Sequence, residues 1–509
     1  MSGLASLLAV LLLAVVLAAA ARRLGAPYPA FLALGGAALA LIPGAPKFTI
    51  DPEVALALFV APVLLDAAYD TSLRELRDNW TAVLSLSVAC VVLTTVAVAA
   101  VARALVPGIP WSAAAALGAI VSPPDAAAAT AVLRPLRPPF RILKILEGES
   151  LLNDASALLI YRLAVGAAAM HAFAAESVAP TLGIIVVGSF AAGIVLAWAM
   201  LWITRTICDV PTAIIVQFVG CFGVWILADR LGLSTVLTMV TFAMAVARRA
   251  PATTPARIRI PSYAVWESAV FVLNVLAFVF IGLQLRPILQ GLDPDVRTRY
   301  LFVAAAVVGT VIVVRLAWVM THNTVVRWRI RRVGFHPRRP TTPPTVGSGL
   351  VISWAGMRGI VSLAAALALP AGFPYRDLVV LTAFAVVLGT LVLQGLTLRP
   401  LLRLLDLPGD DPVGREVGIA RQRALEAAYA ALGDDGSPAA LALRQAFEAR
   451  LGHGSAPDAS EGEIGALGVA RRVVFDMRAR DDIGDDAFHR LEEEFDWIEM
   501  GIGTPRRES

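Results

Sequence analysis

Glu147-Gly148-Glu149-Ser150-Leu151-Leu152-Asn153-Asp154 opens a stretch that then stays almost wholly apolar to Met170. Carboxylates at the head of a membrane-length apolar run decide how the rest of the chain is read. On a helix turning about 100° per residue, Asn153, Ser150 and Asp154 lie within about 140° of Glu149, and Leu151, Leu152, Ala155 and Leu159 take the remaining arc. One face is therefore polar and the other packs or meets lipid. An ionised side chain at the centre of a spanning helix costs about 2.5–3.5 kcal/mol even on lenient scales, so such a face needs a function. Acids at a helix start serve the helix dipole, which accounts for Glu147. That argument does not reach Asn153 and Asp154.

Working outward, the same hydrophobicity recurs along most of the chain. Of 509 residues 58% are hydrophobic and 16% charged, against about 25% charged in water-soluble proteins. Breakers divide the apolar runs into thirteen expected spans, near 4–21, 27–43, 53–69, 81–105, 111–133, 147–170, 178–204, 212–229, 233–248, 264–285, 300–321, 347–370 and 377–400. The first run lacks the basic start of a signal peptide and reads as a retained span. The loops test the count. One alternating set carries about nineteen Lys and Arg, from Arg22 and Arg23 to the six arginines between Arg327 and Arg339, and the other about seven. Positive-inside logic puts the first set, and the tail, in the cytoplasm and the N-terminus outside. The net charge of +4 belongs to these loops and not to a nucleic-acid surface.

From about residue 406 the composition changes. Helical periodicity in Val417–Leu432, Ala439–Leu451, Ala470–Met477 and Phe488–Met500, broken at Gly433–Asp435 and Gly452–Ser460, predicts a small helical cytoplasmic domain over 406–509 behind a transmembrane domain over 1–405. Cys90, Cys208 and Cys221 form no metal or redox spacing. The five histidines fall in loops, at span ends or in the tail, which argues against a histidine-based site.

Three further places set polar groups inside apolar spans. Ser122-Pro123-Pro124-Asp125 removes two backbone donors and must break its helix, and broken backbone at membrane depth belongs where it lines a cavity or is buried in protein. Asp66 sits in Leu64-Leu65-Asp66-Ala67-Ala68. Arg358, in Trp354-Ala355-Gly356-Met357-Arg358-Gly359-Ile360-Val361-Ser362, cannot neutralise itself by losing a proton and so must have a partner. The span at 264–285 adds Glu267, Asn274 and Gln284, with Asn274 suited to an interhelical hydrogen bond rather than to a ligand role.

Gly148-Glu149-Ser150-Leu151-Leu152-Asn153-Asp154 followed by an Ala-rich helix resembles the signature of the monovalent cation:proton antiporters, the sodium/proton exchanger type in its Asn-Asp branch. The resemblance covers roughly residues 1–405. It implies an all-α polytopic fold with inverted repeats and broken crossing helices, no cofactor, monovalent cations and protons as partners in a lipid bilayer, and a homodimer. It implies that Asp154 binds cation or proton in turn, that Ser150 adds an oxygen and that Asn153 holds the site. Ser122, Asp125 and Asp66 are expected nearby, although the chain departs from the family's Thr-Asp-Pro element by placing the acid after the prolines. The Trp354–Gly359 stretch resembles the family's Trp-Gly-Gly-Leu-Arg-Gly element, whose arginine pairs with the glutamate matching Glu149. Glu149 and Arg358 are accordingly expected to form a structural ion pair. Asn153, where a related branch has a second aspartate, suggests exchange of one charge for one charge.

Competition of ion and proton for one carboxylate, with access alternating between faces, gives coupled exchange without covalent chemistry. No nucleotide motif is present, so the driving force would be an existing gradient. A potassium-selective exchanger or a cation channel on the same helices is the alternative reading. An intramembrane enzyme would need a cluster of His, Ser or metal-binding carboxylates near a membrane surface, which the chain does not offer.

Overall fold

Apolar segments away from water must satisfy every backbone group internally, and all regular structure among the described residues is helical. The structure is a computed structural model, and it describes residues 2–24, 27–42, 51–170, 175–207, 209–290, 294–334, 342–407, 409–431 and 461–502. The chain runs through α1 (Ser2–Leu24), α2 (Tyr28–Leu41), α3 (Pro52–Tyr69) and a short α4 (Leu73–Asp78). Then α5 (Trp80–Leu84) continues through a π-helical turn at Ser85–Cys90 into α6 (Val91–Leu105). The double proline parts α7 (Trp111–Val121) from α8 (Ala126–Leu133), and α9 (Phe140–Met170) carries the acidic stretch. After α10 (Ala175–Thr204), α11 (Val210–Arg230) and α12 (Thr235–Thr253) come α13 (Ala256–Leu283), α14 (Leu285–Gln290) and the 40-residue α15 (Pro294–Val333). A second interruption divides α16 (Val346–Trp354) from α17 (Ile360–Leu367), and α18 (Arg376–Leu405) ends the apolar part.

Each of the thirteen expected spans falls on a helix or on a pair of half-helices. Among the described residues eight helices are long and apolar enough to cross a membrane by length and composition. One boundary differs from expectation with consequences for chemistry. Helix α9 begins at Phe140, right after Pro138 and Pro139, so Glu147 is two turns inside and is no helix-start acid. It pairs instead with Lys144 at 3.1 Å and Arg134 at 3.2 Å.

Small residues let the helices approach closely. Gly36 of α2 and Gly282 of α13 face each other's backbone so tightly that a Cβ on either would overlap it. The half-helices α7 and α17 pack among α6, α9, α15 and α18, sharing one buried cluster that includes Leu117, Val307, Ala365 and Val386.

Helices α19 (Pro412–Ala431), α20 (Glu461–Ala479) and α21 (Asp485–Ile502) follow. They bury their own apolar cluster, with Val417, Leu467, Val474, Phe488 and Leu491 at its centre. The expected helix at 439–451 and the breakers at 433–435 and 452–460 lie outside the described residues. The tail is clamped to the helices above it. Arg259 of α13 meets Glu492 at 2.8 Å and Asp496 at 2.6 Å, all three buried, and Lys144 of α9 meets Asp486 at 2.9 Å.

Candidate functional site

The double proline creates a problem of unclaimed carbonyls, and its solution builds the site. In a continuous helix, Ala119, Ile120 and Val121 would bond the N–H groups of residues 123, 124 and 125. Residues 123 and 124 are prolines and have none. The Ser122 hydroxyl donates to Ala119 O at 3.0 Å, while the Asp125 N–H leaves the helix and donates to Met357 O at 2.7 Å, in the second interruption. Arg358 fills the gap, its Nε donating to Val121 O and its Nη2 to Ser122 O, both at 3.1 Å. Asn153 of α9 donates through Nδ2 to Pro124 O at 2.8 Å. The interruptions therefore cross each other and bond to the helix that carries the acids.

A parallel arrangement closes the end of α16. Arg315, in the middle of α15, donates to Ile352 O at 3.1 Å and to Ser353 O at 3.2 Å. The same guanidinium grips Glu149 with two contacts, Nη1–Oε1 at 2.5 Å and Nη2–Oε2 at 2.9 Å, both side chains being 1% exposed. Each half-helix C-terminus, the negative end of its dipole, thus faces an arginine: α7 faces Arg358 and α16 faces Arg315.

This corrects the expected pairing. Glu149 meets Arg315, and Arg358 has no carboxylate partner among the described residues. The physical reason lies in the crossing. Arg358 is committed to carbonyls at the end of α7 and to Gly356 O, with its own N–H held by Thr390 Oγ1 at 3.0 Å. That leaves the Glu149 side of the junction to α15. A signal for Arg315 was present in the sequence, as the lone arginine in the apolar stretch 300–321. It met the same criterion as Arg358.

The positive dipole ends meet an acid. Asp125 starts α8 and accepts from Ala127 N at 2.8 Å. Gly359, which starts α17, lies so close that a Cβ there would overlap the Asp125 carboxylate. Asp125 therefore caps α8 and lies against the start of α17, and the closeness of that approach calls for glycine at 359.

Asp154 differs from all of these. It is 7% exposed, yet among the described residues it has neither hydrogen bond nor ion pair, and the charge acting on it is that of Asp125. Asn153 beside it is fully buried and its Oδ1 has no donor. Ser150 is half-buried one turn earlier on α9. Asp66 is half-buried near the end of α3, a helix that packs against α9 and α17, among the charges of Asp70, Arg134 and Glu267, and among the described residues no hydrogen bond or ion pair joins it to Asp154. Ser122 is buried, with its hydroxyl turned onto its own helix. Glu267 is exposed.

Two interrupted helices that cross beside a buried, uncompensated carboxylate in an apolar bundle are the construction of a secondary transporter. The chain belongs to the sodium/hydrogen exchanger family, whose transmembrane profile matches residues 9–404. It is 35% identical over 416 residues to an Na(+)/H(+) exchanger of Mycobacterium bovis, itself uncharacterized, covering 79% of this chain and 75% of that one. It is 26% identical over 509 residues to a sodium, potassium, lithium and rubidium/H(+) antiporter of Bacillus subtilis, covering 94% of this chain and 75% of that protein. In fold it is similar to the sodium proton antiporter MjNhaP1 from Methanocaldococcus jannaschii, with a TM-score of 0.57 at 18% identity, over 78% of this chain and all of that one. Family and apolar helices together make this a multi-pass membrane protein.

Proposed function

We propose that the protein exchanges a monovalent cation, sodium first among them, for a proton across the membrane, and that the two compete for Asp154. The observation that carries this reading is the contrast among the buried charges. Glu149 is neutralised by Arg315, Arg358 is held by carbonyls and Asp125 by the N-terminal end of α8, while Asp154 alone of this group is left without a partner among the described residues. A carboxylate withdrawn from water needs a counter-charge. A proton and a cation both supply one, and a single carboxylate does not accept both at once. Asn153 Oδ1, buried without a donor, and the Ser150 hydroxyl are the neighbouring oxygens suited to completing a cation's coordination.

Exchange also requires that Asp154 face one side of the membrane at a time. Discontinuous helices at a site are what transporter folds place where one bundle rocks against another. The loop-charge bias supports a cytoplasmic tail and an external N-terminus.

Proteoliposomes with an imposed pH gradient test the proposal, with sodium, lithium and potassium compared side by side. Asp154→Asn is expected to abolish cation-driven proton movement while the variant still folds and inserts. Normal exchange by Asp154→Asn removes Asp154 from the mechanism. Current without a counter-ion on the opposite side would instead make the protein a channel.

A further inference from the structure

Arg141 carries a charge that the ion site does not use. It stands in the first turn of α9, where a cation opposes the helix dipole. It is half-buried, and its guanidinium Nε donates to the neutral Asn79 Oδ1 at 3.2 Å. Among the described residues no carboxylate pairs with it. Asp410, which bonds to its neighbour Phe140, is already occupied: Oδ1 accepts from Phe140 N at 2.6 Å, and Oδ2 from Thr342 N at 3.2 Å and the Thr342 hydroxyl at 3.3 Å.

The guanidinium lines a pocket between α5, α9, α15 and the start of α16. His322 of α15 lines it too and lies within the field of Arg141, so the two cationic side chains repel whenever the imidazole is protonated. Most of the wall is apolar, with Leu86, Val319 and Ile352 among its residues; Asn323, Thr342 and Ser348 add uncharged polar groups, and the lining contains no Asp or Glu. A half-buried arginine beside a histidine with no acid in reach is an incomplete electrostatic arrangement, and an anion completes it.

The surroundings say which kind of anion. Trp80 and Trp328 are exposed on α5 and α15, two helices that contribute to the lining, and Arg332 lies over the Trp328 ring at 4.2 Å. Exposed tryptophans of membrane helices mark the headgroup level. Leu84 and Val325, also exposed, continue an apolar outer surface along the same helices. The ligand therefore needs a negative head for Arg141 and His322 and a hydrocarbon part for this surface. We propose that the pocket binds the phosphate group of an anionic phospholipid from the leaflet on the tail side. Helix α9 carries Asp154 and α16 runs into the crossing, so both helices that shape the ion site would feel the occupant.

The test uses the full-length protein, stripped of native lipid in detergent, and native mass spectrometry. Phosphatidylglycerol is compared with phosphatidylcholine of the same acyl chains, and inorganic phosphate is added as a competitor. Phosphatidylglycerol is expected to stay bound at collision energies that remove phosphatidylcholine. Arg141→Gln and His322→Gln are each expected to lower the retained fraction at least threefold, whereas Arg297→Gln, an exposed arginine on the other end of α15, leaves it unchanged. Val326→Trp fills the pocket without altering charge and is expected to produce the same loss, which guards against an arginine variant that misfolds. Equal retention of the two lipids, or full retention of phosphatidylglycerol by folded Arg141→Gln and Val326→Trp, overturns the proposal. Displacement of the lipid by millimolar inorganic phosphate also overturns it, since the site would then take a free anion.

Discussion

Replacing Arg315 by Met tests the ion-pair assignment and separates two partners for Glu149. The pair is buried on both sides, with contacts of 2.5 and 2.9 Å. Removing one member of such a pair strands the other charge and costs about 3–5 kcal/mol. Arg315→Met also strips donors from Ile352 O and Ser353 O, adding about 1–3 kcal/mol for each carbonyl that finds no replacement. The double variant Arg315→Met/Glu149→Leu no longer holds a stranded charge and is expected to recover most of the first figure. The coupling between the two sites should therefore exceed about 2 kcal/mol, and that between Glu149 and Arg358 should stay below about 1 kcal/mol. Unfolding in mixed micelles of increasing SDS content, followed by tryptophan fluorescence, gives the four corners of each cycle. Strong coupling of Glu149 to Arg358 with additivity toward Arg315 would refute the assignment and restore the pairing implied by the sequence resemblance.

Gly359→Ala places a methyl group against the Asp125 carboxylate and is expected to reduce proteoliposome exchange at least tenfold, whereas Gly223→Ala, on α11 with open space around it, has no effect. Asn153→Ala removes the bond to Pro124 O, a loss of about 1–3 kcal/mol. It is expected to raise the cation concentration for half-maximal exchange and to lower stability together, and an unchanged half-maximal concentration would count against Asn153 as part of the site. Arg259→Met removes the buried guanidinium that Glu492 and Asp496 share and leaves Asp496 with Arg471 at 2.6 Å and Glu492 beside His489, a loss smaller than the about 3–5 kcal/mol of a fully stranded charge, so limited proteolysis should cut the tail from the variant before the wild type. Burial pushes the Asp485 carboxyl up, but Arg478 at 2.6 Å, with Ser72 and His489, outweighs it and holds the group below the usual carboxylate range. A depressed folded-state value stabilises the docked tail fully above the unfolded aspartate value of about 3.9 and loses that contribution as pH falls through the lower folded value. Protease sensitivity of the tail should therefore rise below about pH 4, and Arg478→Gln should move the onset to higher pH.

The helical stretches were legible because each rests on one-dimensional information. Hydrophobic length marked the apolar segments, and Pro123 and Pro124 marked one of the two interruptions. Asp154 was legible for a related reason, since a carboxylate well inside an apolar helix violates the composition that lipid demands. Glu147 was misplaced at a helix start because Phe140–Leu146 mixes Arg141 and Lys144 with apolar residues, and the hydropathy signal begins only after them.

Pairing was another matter. Sequence alone determined that Glu149, Arg358, Asp125 and Asp154 would be costly in an apolar helix, because that cost depends only on the residue and its local run. The same criterion applied to Arg315, which the sequence reading passed over, demands a partner for it too. Which charge meets which was decided by the tertiary crossing of the two interruptions. There the C-terminal carbonyls of α7 claim Arg358, those of α16 and Glu149 share Arg315, and the N-terminal ends of two half-helices converge on Asp125. Dipole ends and carbonyls hold cations strongly at short range in a low dielectric, although a helix end carries only about half the charge of a carboxylate. Their positions exist only once the helices are packed, and it is the completeness of those claims that leaves Asp154 without a partner among the described residues.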